Sequence, residues 1–329
     1  MSGADDTLLD VADLAVRFPM PRKGLFGERN YLHAVRGVSF AVRRGRTLGL
    51  VGESGSGKTT TAMAAIRLVE ASGGAVRFEG QDLLRLEPEP MRLARRHVQV
   101  IFQDPYSSLN PRERVGAIVR EPLDLMEIGA DSAWREERVR ELFALVGLRP
   151  DQMALFPHQF SGGQRQRVSI ARALATNPKL VVCDEPVSAL DVAIQAQILN
   201  LLRRLQDEMG LSYLFISHDL GVVQFICDDV AVMYLGEIVE LADRASLFSQ
   251  PRHPYTAALI EAAPSLARRK SAGYRRGGMV KGDPPSPMSL PKGCAFASRC
   301  PRVEDRCLAE KPELRAMGGT MAACHFPLG

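Results

Sequence analysis

Apolar and polar residues alternate along LLDVADLAVRF, and two β-branched runs follow in HAVRGVSFAVRRGRTLGLVG. A period of two predicts strands, so the first ~50 residues form a β-rich start with Arg-Arg-Gly as a turn. Between these runs, PMPRKGLFGERN is rich in Pro, Gly and charge and reads as a solvated loop. TTTAMAAIRLV predicts a helix of small and apolar residues, GGAVRFEGQDL a short hairpin and HVQVIFQ another strand. From about 104 to 178 the pattern turns helical, in VREPLDLMEI, AWREERVRELFALVGL and GGQRQRVSIARALATN. Strand-like LVVC, helical AIQAQILNLLRRLQDEM, strand-like SYLFIS, helical LGVVQFIC and one strand-like run, VAVMYLGEIVE, complete the series. Strands alternating with helices predict an α/β chain with a mostly parallel sheet covered on both faces.

Composition changes this picture mainly by exclusion. A hydrophobic share of 46% and a charged share of 24% exclude a disordered or fibrous chain, and 329 residues suggest two domains. A net charge of +4 is too mild to call for nucleic acid. No apolar run reaches the ~18 to 20 residues of a membrane span, and MSGADDTLLD lacks the pattern of a signal peptide. The expectation is a cytoplasmic protein whose membrane role comes through partners.

Candidate chemistry concentrates in three places. Gly52-Glu53-Ser54-Gly55-Ser56-Gly57-Lys58-Thr59, with Thr60 next, fits G-x-x-x-x-G-K-[ST] between a strand and a helix. Its glycines let backbone N–H groups wrap phosphate oxygens, and the helix dipole adds to the attraction. Lys58 supplies a charge toward the β- and γ-phosphates, and Thr59 a hydroxyl for Mg²⁺. LVVCDEP delivers Asp184 and Glu185 at a strand end, where Asp184 suits Mg²⁺ and Glu185 suits a general base. In Phe160-Ser161-Gly162-Gly163-Gln164, Ser161 is an N-cap, and the glycines Gly162 and Gly163 make a second anion-binding helix start.

The third motif, in company with the first two, resembles the signature of ABC-type ATPases, normally LSGGQ, with Phe160 replacing leucine. The resemblance runs over residues 8 to 250, roughly, and implies a RecA-like P-loop core with an antiparallel β-subdomain and a helical signature subdomain. A small Cys-rich C-terminal extension follows, so the expected domains are 1–250 and 251–329, with the helical subdomain at about 104–178. By the same resemblance Gln103 is the Q-loop glutamine that touches Mg²⁺ and water, Asp191 belongs to the D-loop, and His218 is the switch histidine reaching the γ-phosphate. Adenine stacks on an aromatic residue, for which Phe18 and Tyr31 are the candidates. Ser161, Gly162, Gly163 and Gln164 would complete the site of a second ATPase chain, either a homologous subunit or a second copy.

FQDPYSSLNPR, QPRHPYTAAL and the cysteine-bearing tail narrow the resemblance to the ATPases of dipeptide and oligopeptide importers, whose relatives carry nickel, glutathione or sugars. That implies ATP hydrolysis on the cytoplasmic face of the membrane, beneath two permease subunits fed by an extracytoplasmic binding protein. HPYTAAL on its own reads as a helix start with Pro254 in the first turn. A soluble ABC ATPase of DNA repair or translation would show long coiled-coil insertions or two ATPase halves, and a P-loop kinase or GTPase would lack SGGQ.

Before the tail, LARRKSAGYRRGGMVK has basic but no acidic residues and reads as a linker. Cys183 and Cys227 lie in apolar runs and read as core. Cys294, Cys300, Cys307 and Cys324 are separated by gaps unlike the CxxC pairs of zinc sites. Four thiolates match the ligand count of a [4Fe–4S] cluster; zinc and unliganded thiols remain open, and His325 could replace one ligand. With little core of its own, the segment would need metal as its staple.

Overall fold

Short β-branched runs closed by Gly or Asp turns become strands, and the runs of helical period become helices. The computed structural model describes residues 6–20, 30–263, 285, 288 and 291–329. The strands are β1 (Thr7–Pro19), β2 (Tyr31–Arg43), β3 (Thr47–Val51), β4 (Gly73–Phe78), β5 (Gln81–Asp82) and β6 (Val98–Ile101). They continue with β7 (Leu180–Asp184), β8 (Ser212–Ser217), β9 (Asp229–Tyr234), β10 (Glu237–Asp243), β11 (Arg315–Met317) and β12 (Thr320–Ala322). The helices are α1 (Lys58–Ala65), α2 (Pro88–His97), α3 (Val115–Leu125), α4 (Ser132–Leu145) and α5 (Gly162–Leu174). After them come α6 (Val192–Met209), α7 (Leu220–Ile226), α8 (Arg244–Ser249), α9 (Pro254–Ala262) and α10 (Asp305–Ala309).

The chain divides into two compact units. One, the helical unit, comprises Met1–Leu8, Arg43–Arg46 and Arg85–Phe215; the other, the loop unit, comprises Leu9–Val42, Thr47–Leu84 and Ile216–Gly329.

In the loop unit one sheet has the order β2-β1-β4-β5, with β1–β4 and β4–β5 antiparallel. Alternation along β1 buries Leu9, Val11, Leu14 and Val16, and a bulge between Ala12 and Ala15 resets the register at Asp13. The unit's other strands run β11-β12-β10-β9-β3. The β3–β9 pair is parallel, with Leu50 opposite Ala231, and β9–β10 is a hairpin. VAVMYLGEIVE is therefore two strands, not the single one its pattern suggested. Leu235 at φ 46° and Gly236 at φ 81° make the two-residue turn, a conformation that period-two reading does not reveal.

The tail also differs from expectation. β12 pairs with β10, placing Ala322 opposite Glu240, and β11 pairs with β12 at the edge. Ala323 N–H donates to Val239 O at 2.8 Å, and Leu328 N–H to Arg252 O at 2.8 Å. The extension thus takes its support from the sheet of the loop unit, and metal is not its sole staple.

In the helical unit the strands lie in the order β8-β7-β6, with β6–β7 parallel and Val100 opposite Val182. Every residue of β7 is buried, as a strand covered on both faces requires. α3, α4 and α5 pack on one another, and Val119, Leu123, Val139, Phe143 and Ile170 are among the residues they bury. Residues 104–114 form turns, so the helical stretch begins at Val115 and not at 104. Among the described residues, no helix is long and apolar enough to cross a membrane. Residues 21–29 of the first loop and the basic LARRKSAGYRRGGMVK stretch lie outside the described residues.

Candidate nucleotide site

In the loop unit, fully buried β3 runs into the loop at 52–57, which opens α1. Two glycines are dictated by close approach as well as by positive φ. A Cβ on Gly52 would sit 2.2 Å from Met233 O, and one on Gly57 2.5 Å from Ala34 O. Gly57 is the N-cap of α1, no side chain caps it, and the first turn holds no acidic residue. The positive end of the helix dipole at this glycine-built start suits an anion. Lys58 is 5% exposed, and its Nζ donates to Gly52 O and Glu53 O, both at 2.9 Å. Ser56 is buried, and its Oγ has no hydrogen-bond partner. An orphaned buried hydroxyl beside an uncapped helix start is what an anion-binding loop should show.

His218 is exposed at the end of β8. Asp219 behind it caps α7, accepting from Gly221 N–H at 2.7 Å, and donates its own N–H to Ser217 Oγ at 3.0 Å. Of the two adenine candidates, Phe18 is 39% exposed at the end of β1, whereas Tyr31 has the Arg17 guanidinium 4.7 Å over its ring.

In the helical unit, β7 ends in Asp184, which is 6% exposed, followed by Glu185 at φ 46°. A positive φ is strained for a glutamate, and such strain concentrates at functional positions. Gln103 Nε2 donates to Glu185 Oε2 at 3.1 Å, so the two residues predicted to handle water meet. Asp191 caps α6 by accepting from Ile194 N–H at 2.9 Å. Ser161 begins α5 with a capping box: Gln164 N–H donates to Ser161 Oγ at 3.4 Å, and Ser161 N–H donates to Gln164 Oε1 at 3.0 Å. The N-cap expected at Ser161 is present. Gly163 is buried, and a Cβ there would lie 2.5 Å from Ile194 Cγ2, so it is needed for close packing of α5 on α6.

Sequence reasoning missed the contacts that fasten the segment after Gln103 to α5. Arg172 Nη1 donates to Ser108 O at 2.6 Å, and the Arg165 guanidinium sits 3.8 Å over the Tyr106 ring. Arg165 and Arg172, seven positions and so two turns apart on one face of α5, were the available signal.

In the tail, Cys294, Cys300, Cys307 and Cys324 line one cavity with His253, Phe296, Arg302 and His325. None of the six cysteines is in a disulfide. Burial, reinforced by the other cysteines, pushes the Cys294 thiol up to about 11. His325 Nε2 lies 2.9 Å from Glu310 O and is engaged there. Among the described residues, no three His, Cys, Asp or Glu side chains are grouped closely enough to hold a single metal ion.

Two family models match the chain: ABC transporter over residues 35–188, and the oligopeptide/dipeptide transporter C-terminal region over 239–307. The oligopeptide transport ATP-binding protein AppF of Bacillus subtilis is 46% identical over 98% of this chain and 98% of its own. The chain belongs to the ABC transporter ATP-binding proteins, in their dipeptide and oligopeptide branch. The dipeptide transport ATP-binding protein DppF of Escherichia coli is 46% identical over 96% of this chain and 93% of its own. Among solved structures, the dimeric ABC cassette MJ0796 bound to ADP and Pi matches at TM-score 0.64 and 27% identity, covering 72% of this chain and 98% of that one. CbiO1 of Clostridium perfringens matches at TM-score 0.64 and 25% identity, over 74% and 91%. As a member of this family the chain is an ABC-type ATPase that uses ATP and Mg²⁺, and the uncapped, glycine-built loop at 52–57 fits that nucleotide.

Proposed function

We propose that this ABC ATPase drives the uptake of dipeptides and oligopeptides. The observation that carries the reading is the presence of the peptide-branch C-terminal region behind an intact phosphate loop. AppF and DppF, over nearly their full lengths, are named as transport ATP-binding proteins for such peptides. In this reading Lys58 would hold the β- and γ-phosphates, with the loop at 52–60 around them, and Thr59, Gln103 and Asp184 would hold Mg²⁺. Bound Mg²⁺ supplies charge neutralisation on the phosphate oxygens. Gln103 orients the water, and Glu185 takes its proton as the oxygen attacks the γ-phosphorus and the bond to the β-phosphate oxygen breaks. His218 donates to the γ-phosphate oxygens, and Phe18 or Tyr31 stacks on adenine.

Ser161, Gly162, Gly163, Gln164 and Asp191 act on the nucleotide of a second ATPase chain, homologous or identical. The dimeric form of MJ0796 supports that arrangement. Two permeases and an extracytoplasmic binding protein complete the importer.

We further propose a [4Fe–4S] cluster on Cys294, Cys300, Cys307 and Cys324. The four cysteines line one cavity and match the ligand count of such a cluster. Protein purified without oxygen should be brown, with about four irons per chain; colourless, iron-free protein from such a preparation removes the cluster.

The importer reading is tested in cells whose other peptide importers are deleted. Loss of this chain should reduce labelled dipeptide uptake to background, restored by the wild-type gene and not by Lys58→Ala. Undiminished uptake without the chain contradicts it.

A further inference from the structure

The segment that carries the cysteines reaches the phosphate loop. Arg299, adjacent to Cys300, forms a bidentate ion pair with Glu53, the second residue of the loop. Nη1 donates to Oε2 at 2.8 Å and Nη2 to Oε1 at 2.9 Å. The Arg299 side chain is only 6% exposed, and Nη1 also lies 3.3 Å from Tyr234 Oη as a donor. The main chain of the same glutamate is held too: Glu53 N–H donates to Tyr255 Oη at 2.9 Å. Glu53 O in turn is one of the two carbonyls that accept from Lys58 Nζ.

Tyr255 cannot swing away. Its ring is fully buried, 4.7 Å from Tyr234 and 5.4 Å from Phe296 between centroids. Its backbone N–H donates to His253 Nδ1 at 3.0 Å. Burial pushes the His253 imidazole down to about 4, so the ring is neutral at neutral pH, and accepting Tyr255 N–H at Nδ1 places its one proton on Nε2. Buried Glu240 fixes the same corner by accepting Arg252 N–H at 2.7 Å and His253 N–H at 2.8 Å.

We propose that Arg299 and Tyr255 are positioning residues of the phosphate loop, fixing Glu53 and through it Lys58, so that the C-terminal extension sets the affinity for ATP. The proposal rests on the reading of residues 52–59 as the ATP phosphate site. A charge-assisted fork is stronger than a neutral bond and geometrically stricter, which suits a part that must hold one backbone conformation. His253, Pro254 and Tyr255 thus act beyond starting a helix.

Binding of a non-hydrolysable ATP analogue with Mg²⁺ to the full chain, together with steady-state ATPase kinetics, tests this. Arg299→Ala should weaken binding about tenfold and Tyr255→Phe about threefold, the sizes expected for losing a charged and a neutral hydrogen bond. KM should rise with kcat nearly unchanged, and Arg299→Lys should recover part of the loss. Glu53→Gln combined with Arg299→Ala should bind no more weakly than the worse single variant, because both remove one interaction. If Arg299→Ala does not fold, Tyr255→Phe and Arg299→Lys, which keep the buried volume, decide the matter. Wild-type affinity in both of these, additive losses in the double variant, or a fall in kcat at unchanged KM would each overturn the proposal. A wild-type chain that does not bind the analogue would instead overturn the ATP reading of the loop.

Discussion

Each unit opens a helix with glycines, and each uses them for a different purpose. In the loop unit, Gly57 starts α1 without a side-chain cap, Ser56 Oγ is buried and unpartnered, and the first turn carries no carboxylate. In the helical unit, Ser161 and Gln164 satisfy each other's backbone at the start of α5, and Gly163 exists because Ile194 is packed against it. The first helix start has no side-chain cap of its own and suits an anion. The second is complete by itself, a rigid surface that needs no ligand to hold its shape. Gly-rich composition alone does not separate the two; the cap does.

That contrast can be broken at Gly163. Gly163→Val would drive a side chain into Ile194 and cost about 1–3 kcal/mol by overpacking. It should lower the ATPase rate while leaving nucleotide affinity at the loop unit unchanged, as calorimetry and phosphate release would report. An equal loss of ATP affinity would mean that the two helix starts are not independent. Ser161→Ala sharpens the same point with a smaller effect. Removing half of the capping box should cost about 1 kcal/mol in denaturant unfolding, again without weakening ATP binding.

Much of this was legible in the chain. The strand, glycine loop and helix around Lys58, the buried strand ending in Asp184, and the cap at Ser161 are local patterns, and the structure has each of them. What was not legible depends on distance along the chain or on very short elements. Arg299 and Glu53 are 246 residues apart, and Tyr255 and Glu53 are 202 apart, so no periodicity links them. β11 and β12 have three residues each, too few to show alternation, yet they tie the tail to β10. The turn at Leu235-Gly236 was hidden because leucine, a strand and helix residue by habit, occupies a left-handed position. At Glu185 the same positive φ marks the proposed base, and sequence gave its identity but no hint of its strain.

The account stands on Glu185 as the group that removes the proton from the attacking water. The direct test is single-turnover hydrolysis of labelled ATP by Glu185→Gln beside wild-type chain, with binding measured in parallel. The account predicts unchanged ATP affinity and phosphate release slowed at least ~100-fold, the usual contribution of a general base. Release at the wild-type rate, with ATP bound normally, would contradict it.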